Sequence, residues 1–119
     1  MKSQKDDNLI VQMTIDFALE IIDFSEQIYE KKRFRMADQV FGAGTSVGAN
    51  VNEAQNAESR TDFIHKMKIA IKEAEETEYW LTLCEKSKHY PNSEKLLSKV
   101  QSIIKVLGKI ISSSIQNKK

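Results

Sequence analysis

The chain has 119 residues, 40% of them hydrophobic, which is enough for one domain with its own core. Its 18 basic and 17 acidic side chains leave a formal charge of +1, which excludes a strong overall field for drawing in nucleic acid; any such binding has to come from local clustering. One cysteine excludes an internal disulfide, no apolar run approaches the ~18 residues of a membrane span, and Met1–Ile10 lacks the layout of a signal peptide, so a cytoplasmic protein away from membranes is expected.

Four glycines and one proline are few breakers, favouring long helices with short connections. A first helix is predicted over about residues 8–31, opened by Asp6, Asp7 and Asn8, whose acceptors and charge suit an amino-terminal end. Its apolar residues fill two stripes. One is Ile10, Met13, Phe17, Ile21, Phe24 and Ile28; the other is Val11, Ile15, Ala18 and Ile22, continuing to Tyr29. A helix burying one face needs one stripe, so the second is assigned to contact with another subunit. The turn that follows holds the densest basic run, Lys31, Lys32, Arg33 and Arg35, a candidate for gripping RNA phosphates and equally an exposed turn favourable to the end of the first helix.

A second helix, over about 33–57, contains FGAGTSVGANVNEAQ. Gly42, Gly44 and Gly48 suggest a phosphate-gripping loop at first sight. The spacing G-x-G-x-x-x-G is one residue too long for the dinucleotide pattern, no Lys-Ser or Lys-Thr pair follows a glycine, and no strand precedes. Met36, Val40, Gly44, Val47, Val51 and Ala54 instead recur at helical steps on one face. Glycine inside a helix costs about 1 kcal/mol relative to alanine. Gly44 and Gly48 should therefore mark a tight crossing with another helix.

Ser46, Asn50 and Glu53 run beside that face. In the third helix, over about 60–87, Glu75 and Glu78 lie next to the stripe Phe63, Met67, Ala70, Ala74, Thr77, Leu81 and Cys84. The five polar residues are expected to form a hydrogen-bonded layer between the second and third helices. Ile69, Tyr79, Trp80 and Leu83 form an apolar flank off the main stripe, the mark of an interface. Tyr90-Pro91-Asn92 breaks the chain, and Asn92 or Ser93 can cap a last helix over about 92–116, with the seam Leu96, Leu97, Val100, Ile103, Ile104, Leu107, Ile110, Ile111 and Ile115. Short links between four helices give an antiparallel up-down bundle in one domain, residues 1–119.

Chemistry is sparsely signalled. Asp62-x-x-His65 is half of a carboxylate-histidine metal motif, but no second such spacing exists, and His89 sits near a helix end where a cation suits the dipole. Cys84 continues an apolar stripe and reads as core, and Ser46 has no histidine nearby in sequence. The expectation is no enzyme, no cofactor and no metal.

The segment GTSVGANVNEAQNAESRTDFIHKMKIAIKEAEETEYWL resembles the four-helix bundle family named for proteins encoded in intervening sequences of bacterial 23S ribosomal RNA genes. Its S-[IV]-x-A-N-[IV]-x-E-[AG] pattern is matched by Ser46 to Ala54, and the helix that follows by Phe63, Ala70, Glu75, Thr77, Glu78, Trp80 and Leu81. The resemblance implies a helical bundle and does not imply an enzyme. A related branch, the accessory variability determinant proteins of diversity-generating retroelements, looks like the same bundle in a ring of five that binds nucleic acid and a reverse transcriptase. That branch is strongly basic, whereas this chain is nearly neutral. By this resemblance the expected protein is a homopentameric scaffold, with RNA or DNA and a protein such as a reverse transcriptase as further partners.

Overall fold

The computed structural model describes the backbone of residues 4–117 and the side chains of residues 9–117. It contains four helices, α1 (Gln4–Glu30), α2 (Phe34–Ala54), α3 (Arg60–Lys86) and α4 (Glu94–Asn117), and no strand among the described residues. Each helix packs on its neighbours in the chain, and α4 returns against α1. The molecule measures 50 × 21 × 19 Å. Its cross-section is two helices wide in either direction, since one helix with its side chains is about 10 Å across.

The helix α1 begins four residues before the expected start, so Asp6, Asp7 and Asn8 lie within its first turns; their side chains fall outside the described residues. Its end is closed by a turn in which the Lys32 N–H donates to Tyr29 O (2.8 Å) and the Arg33 N–H to Ile28 O (3.3 Å), with Lys32 in the left-handed region at φ 65°. This is the helix-ending arrangement in which glycine is usual, because a Cβ is disfavoured there. The helix α2 ends at Ala54 and continues as a tighter turn, in which the N–H groups of Gln55, Asn56 and Ala57 each reach back three residues.

Residue choice explains the other ends. Ser59 caps α3 by accepting from the Asp62 N–H (3.0 Å), while the Asp62 carboxylate accepts from the Glu58 N–H (3.2 Å) and lies 3.9 Å from Lys66. The first bond satisfies a donor that the first turn leaves open, and the second fixes the residue that leads into the cap. At α4 the Asn92 side chain accepts from the Glu94 N–H (2.9 Å), and Ser93 is buried beneath it.

The core is built from the predicted stripes. Ile10, Phe17, Ile21 and Ile28 from α1, Val40, Val47 and Val51 from α2, Met67 and Leu81 from α3, and Val100, Ile103 and Leu107 from α4 are fully buried. Gly42, Gly44 and Gly48 are all helical. A Cβ on Gly44 would lie 2.7 Å from Ile21 Cγ2, and one on Gly48 would lie 3.3 Å from Thr14 Cβ and from the Thr14 carbonyl oxygen. The tight crossing is therefore with α1, whose residues enter the space that missing side chains leave.

Candidate functional site

The outer faces of α1 and α3 carry apolar side chains that the fold does not cover. On α1, Ile15 is 47% and Leu19 is 58% exposed, and Val11 and Ile22 are half-buried. Helical spacing groups these four on one side, away from the Phe17–Ile21–Phe24 core stripe. Sequence reasoning passed over Leu19, although its step of four from Ile15 was the available signal. Val11 also packs against the core edge, so it serves two surfaces.

On α3, Tyr79 is 58% exposed and rests edge-on against Trp80 with ring centroids 5.4 Å apart. Trp80 is half-buried, packs against the core and donates its indole N–H to Glu76 (3.2 Å). Ile69 and Leu83 are half-buried on the same flank. The helices α1 and α3 do not pack as neighbours, so the two apolar faces are separate surfaces.

The polar residues expected to form a layer do not meet across α2 and α3. Ser46 donates to Gly42 O (2.6 Å) and Asn50 donates to Ser46 O (2.8 Å), both within α2. Glu53 alone reaches α3, facing Lys66 at 3.6 Å, while Glu75 is exposed and Glu78 accepts from Gln101 of α4 (3.1 Å). The reason is local: a carbonyl four residues back is already within reach of a short polar side chain on a helix. The hydrogen bond found for the Asn50 amide thus stays within α2.

The basic turn acquires company that its sequence neighbourhood did not reveal. Arg33 lies over the ring of Tyr90, 5.5 Å from its centroid, which joins the α1–α2 turn to the α3–α4 link at one end of the molecule. Lys31, Lys32, Arg33 and Arg35 are all exposed there, and Lys88 and His89 are exposed in the link beside Tyr90. Tyr29 and Phe34 pack across the turn as a tilted pair, with ring centroids 4.6 Å apart. Cations and aromatic rings are therefore interleaved at this end, from two segments 53 or more positions apart in the chain.

Other candidates have structural employment. Asp62 is occupied by the α3 cap and His65 is exposed, and no group of three or more His, Cys, Asp or Glu among the described residues could hold a metal ion. Cys84 is 1% exposed, and burial pushes its thiol up to about 11, far from a reactive thiolate at neutral pH. Burial, with Glu76 nearby, raises Glu73. An open groove of about 280 Å³ lies between Ala54, Arg60, Phe63 and Ser114. No helix among the described residues is long and apolar enough to cross a membrane.

Comparison with known proteins fits this architecture. The crystal structure of a protein of unknown function from the S23 ribosomal protein family of Bacteroides thetaiotaomicron superposes with a TM-score of 0.85 at 39% identity, covering 90% of this chain and 98% of that one. No curated protein matches the chain. The family model described as 23S rRNA-intervening sequence protein matches residues 6–109, spanning parts of all four helices with both the glycine crossing and the Trp80 flank, and the chain belongs to that family.

Proposed function

We propose that the protein is a non-enzymatic, homo-oligomeric scaffold: an antiparallel up-down four-helix bundle that assembles with copies of itself in the cytoplasm. The carrying observation is the pair of uncovered apolar faces, with Ile15 and Leu19 on α1 and Tyr79 on α3 about half exposed. Aromatic and aliphatic groups of this size are costly to leave in water and are enriched where proteins meet. Opposite ordering supports the antiparallel arrangement: Ile21 faces Gly44 while Thr14 faces Gly48, and the start of α4 at Ser93 is bonded to the end of α3 at Leu81. The ring of five implied by the family resemblance is the favoured assembly. Sedimentation at micromolar concentration is expected to give a multiple of 13.6 kDa, and a 13.6 kDa species throughout would refute self-association.

A second reading is favoured by the basic, aromatic end. Lys31, Lys32, Arg33 and Arg35, with Lys88, His89 and Tyr90 across from them, offer phosphates cations and bases a stacking surface. On this reading the assembly is an accessory RNA- or DNA-binding ring that works beside a protein such as a reverse transcriptase. Wild type should be retained on single-stranded RNA at low salt and released as salt rises, and K32E/R33E/R35E should lose retention. No retention of wild type at low salt would end this reading.

A further inference from the structure

Resting on the self-association proposed above, we propose that the contact between copies pairs two different faces, the α1 face of one copy seating on the α3 face of the next. Its basis is the distribution of charge around the two apolar patches. From residue 9 to residue 30, α1 carries Asp16, Glu20, Asp23, Glu26 and Glu30 and no base. Glu20 is held by Lys99 of α4, which leaves Asp16, Asp23, Glu26 and Glu30, all exposed, bordering Ile15, Leu19 and Ile22. Asp23 follows Leu19 by four residues, and Glu26 follows Ile22 by four, the spacing of neighbours on a helix surface.

The α3 patch is bordered differently. Lys68, Lys72 and Lys86 are exposed around Ile69, Tyr79 and Leu83. The acids nearby are Glu73, Glu75 and Glu76, the last accepting the Trp80 indole N–H, so this patch carries both signs where the α1 patch carries only one. A symmetric α1-on-α1 contact would set four carboxylates against four others, and like charges brought together across an interface cost several kcal/mol. Seating α1 on α3 instead matches apolar surface to apolar surface and carboxylates to lysines. The edge-on Tyr79–Trp80 pair supplies a rigid aromatic anchor of the kind that dominates interface energetics. The helices α1 and α3 do not pack as neighbours within the subunit, so each copy presents both faces at once, and the contact repeats head to tail, closing as a ring or running on as a filament.

The test is charge reversal at exposed positions, read by sedimentation velocity of the full chain, with helical content followed by circular dichroism. D23K/E26K and K68E/K72E should each raise the concentration needed for assembly at least tenfold. The quadruple variant should recover most of that loss, because its charges again oppose one another. Wild-type assembly should also weaken as salt rises, a reading that does not depend on any variant folding. Assembly that tightens in D23K/E26K alone, or with rising salt, would overturn the pairing in favour of α1 on α1. A quadruple variant no better than either pair, or wild-type assembly indifferent to every reversal, would overturn it while leaving self-association standing. A monomeric wild type would remove both.

Discussion

The α1–α2 and α3–α4 seams join successive helices by opposite means. In the first, close approach comes from absent side chains: Ile21 and Thr14 of α1 press where Gly44 and Gly48 of α2 have no Cβ. In the second, a Cβ on Gly108 would meet Ile71 only at 4.0 Å, ordinary contact, and the helices are tied by polar groups. The Ser93 hydroxyl lies within hydrogen-bonding reach of Leu81 O (2.9 Å) and the Glu85 carboxylate (3.1 Å), which also accepts the Ser93 N–H (2.9 Å). Glycine has therefore two meanings in this one chain. In α2 it is a shape requirement; in α4 it is a residue the fold tolerates.

The largest effect should come from breaking the first seam. Ile21→Ala is expected to cost about 2–5 kcal/mol, the range for emptying a buried isoleucine site. Gly44→Ala should destabilise by about 1–2 kcal/mol, since overpacking against a fully buried Ile21 outweighs the ~1 kcal/mol that alanine gains in a helix. Combining the two should cost less than the sum, because the new methyl fills part of the space that Ile21 vacates. Urea denaturation of the four proteins measures the coupling, and strict additivity would show that the two sites do not press on each other.

An intermediate effect is expected at the second seam. Ser93→Ala should cost about 1 kcal/mol, the usual net value of a hydrogen bond lost from a buried site. The Ser93 N–H, and after it the Ser93 hydroxyl, hold the Glu85 carboxyl below the ordinary glutamate range despite some desolvation. A pKa lower in the folded than in the unfolded state stabilises the fold above the unfolded value, and this is lost as pH falls through the folded one. Glu85→Gln should thus be less stable than wild type near neutrality, with the difference shrinking as the solution is acidified below the ordinary glutamate range. A difference independent of pH would deny Glu85 that role.

The smallest effect sharpens the contrast. Gly108→Ala should stabilise by about 0.5–1 kcal/mol, from helix propensity with no clash. Equal destabilisation by Gly44→Ala and Gly108→Ala in thermal melts would mean that the two seams are packed alike.

Much of the architecture was legible because period and composition carry it. The core stripes follow from apolar residues at helical steps, and the close approach at Gly44 and Gly48 follows from the cost of placing glycine in a helix without reason. The absence of the expected polar layer was not legible, because Asn50 and Ser46 bond backward to their own helix, an option that spacing alone does not rank against a cross-helix partner. The meeting of Arg33 with Tyr90 was equally hidden, since nothing local to either segment specifies the other.

By itself the sequence determined four amphipathic helices, the identity of the buried stripes and the place where two helices come close, since each is a property of residues within one or two turns. Only the tertiary structure decided that α1 fills the glycine gap, that the two uncovered apolar faces stand apart, and that cations from two distant segments share one end. Those are relations between residues far apart in the chain, fixed by how the helices pack around one another.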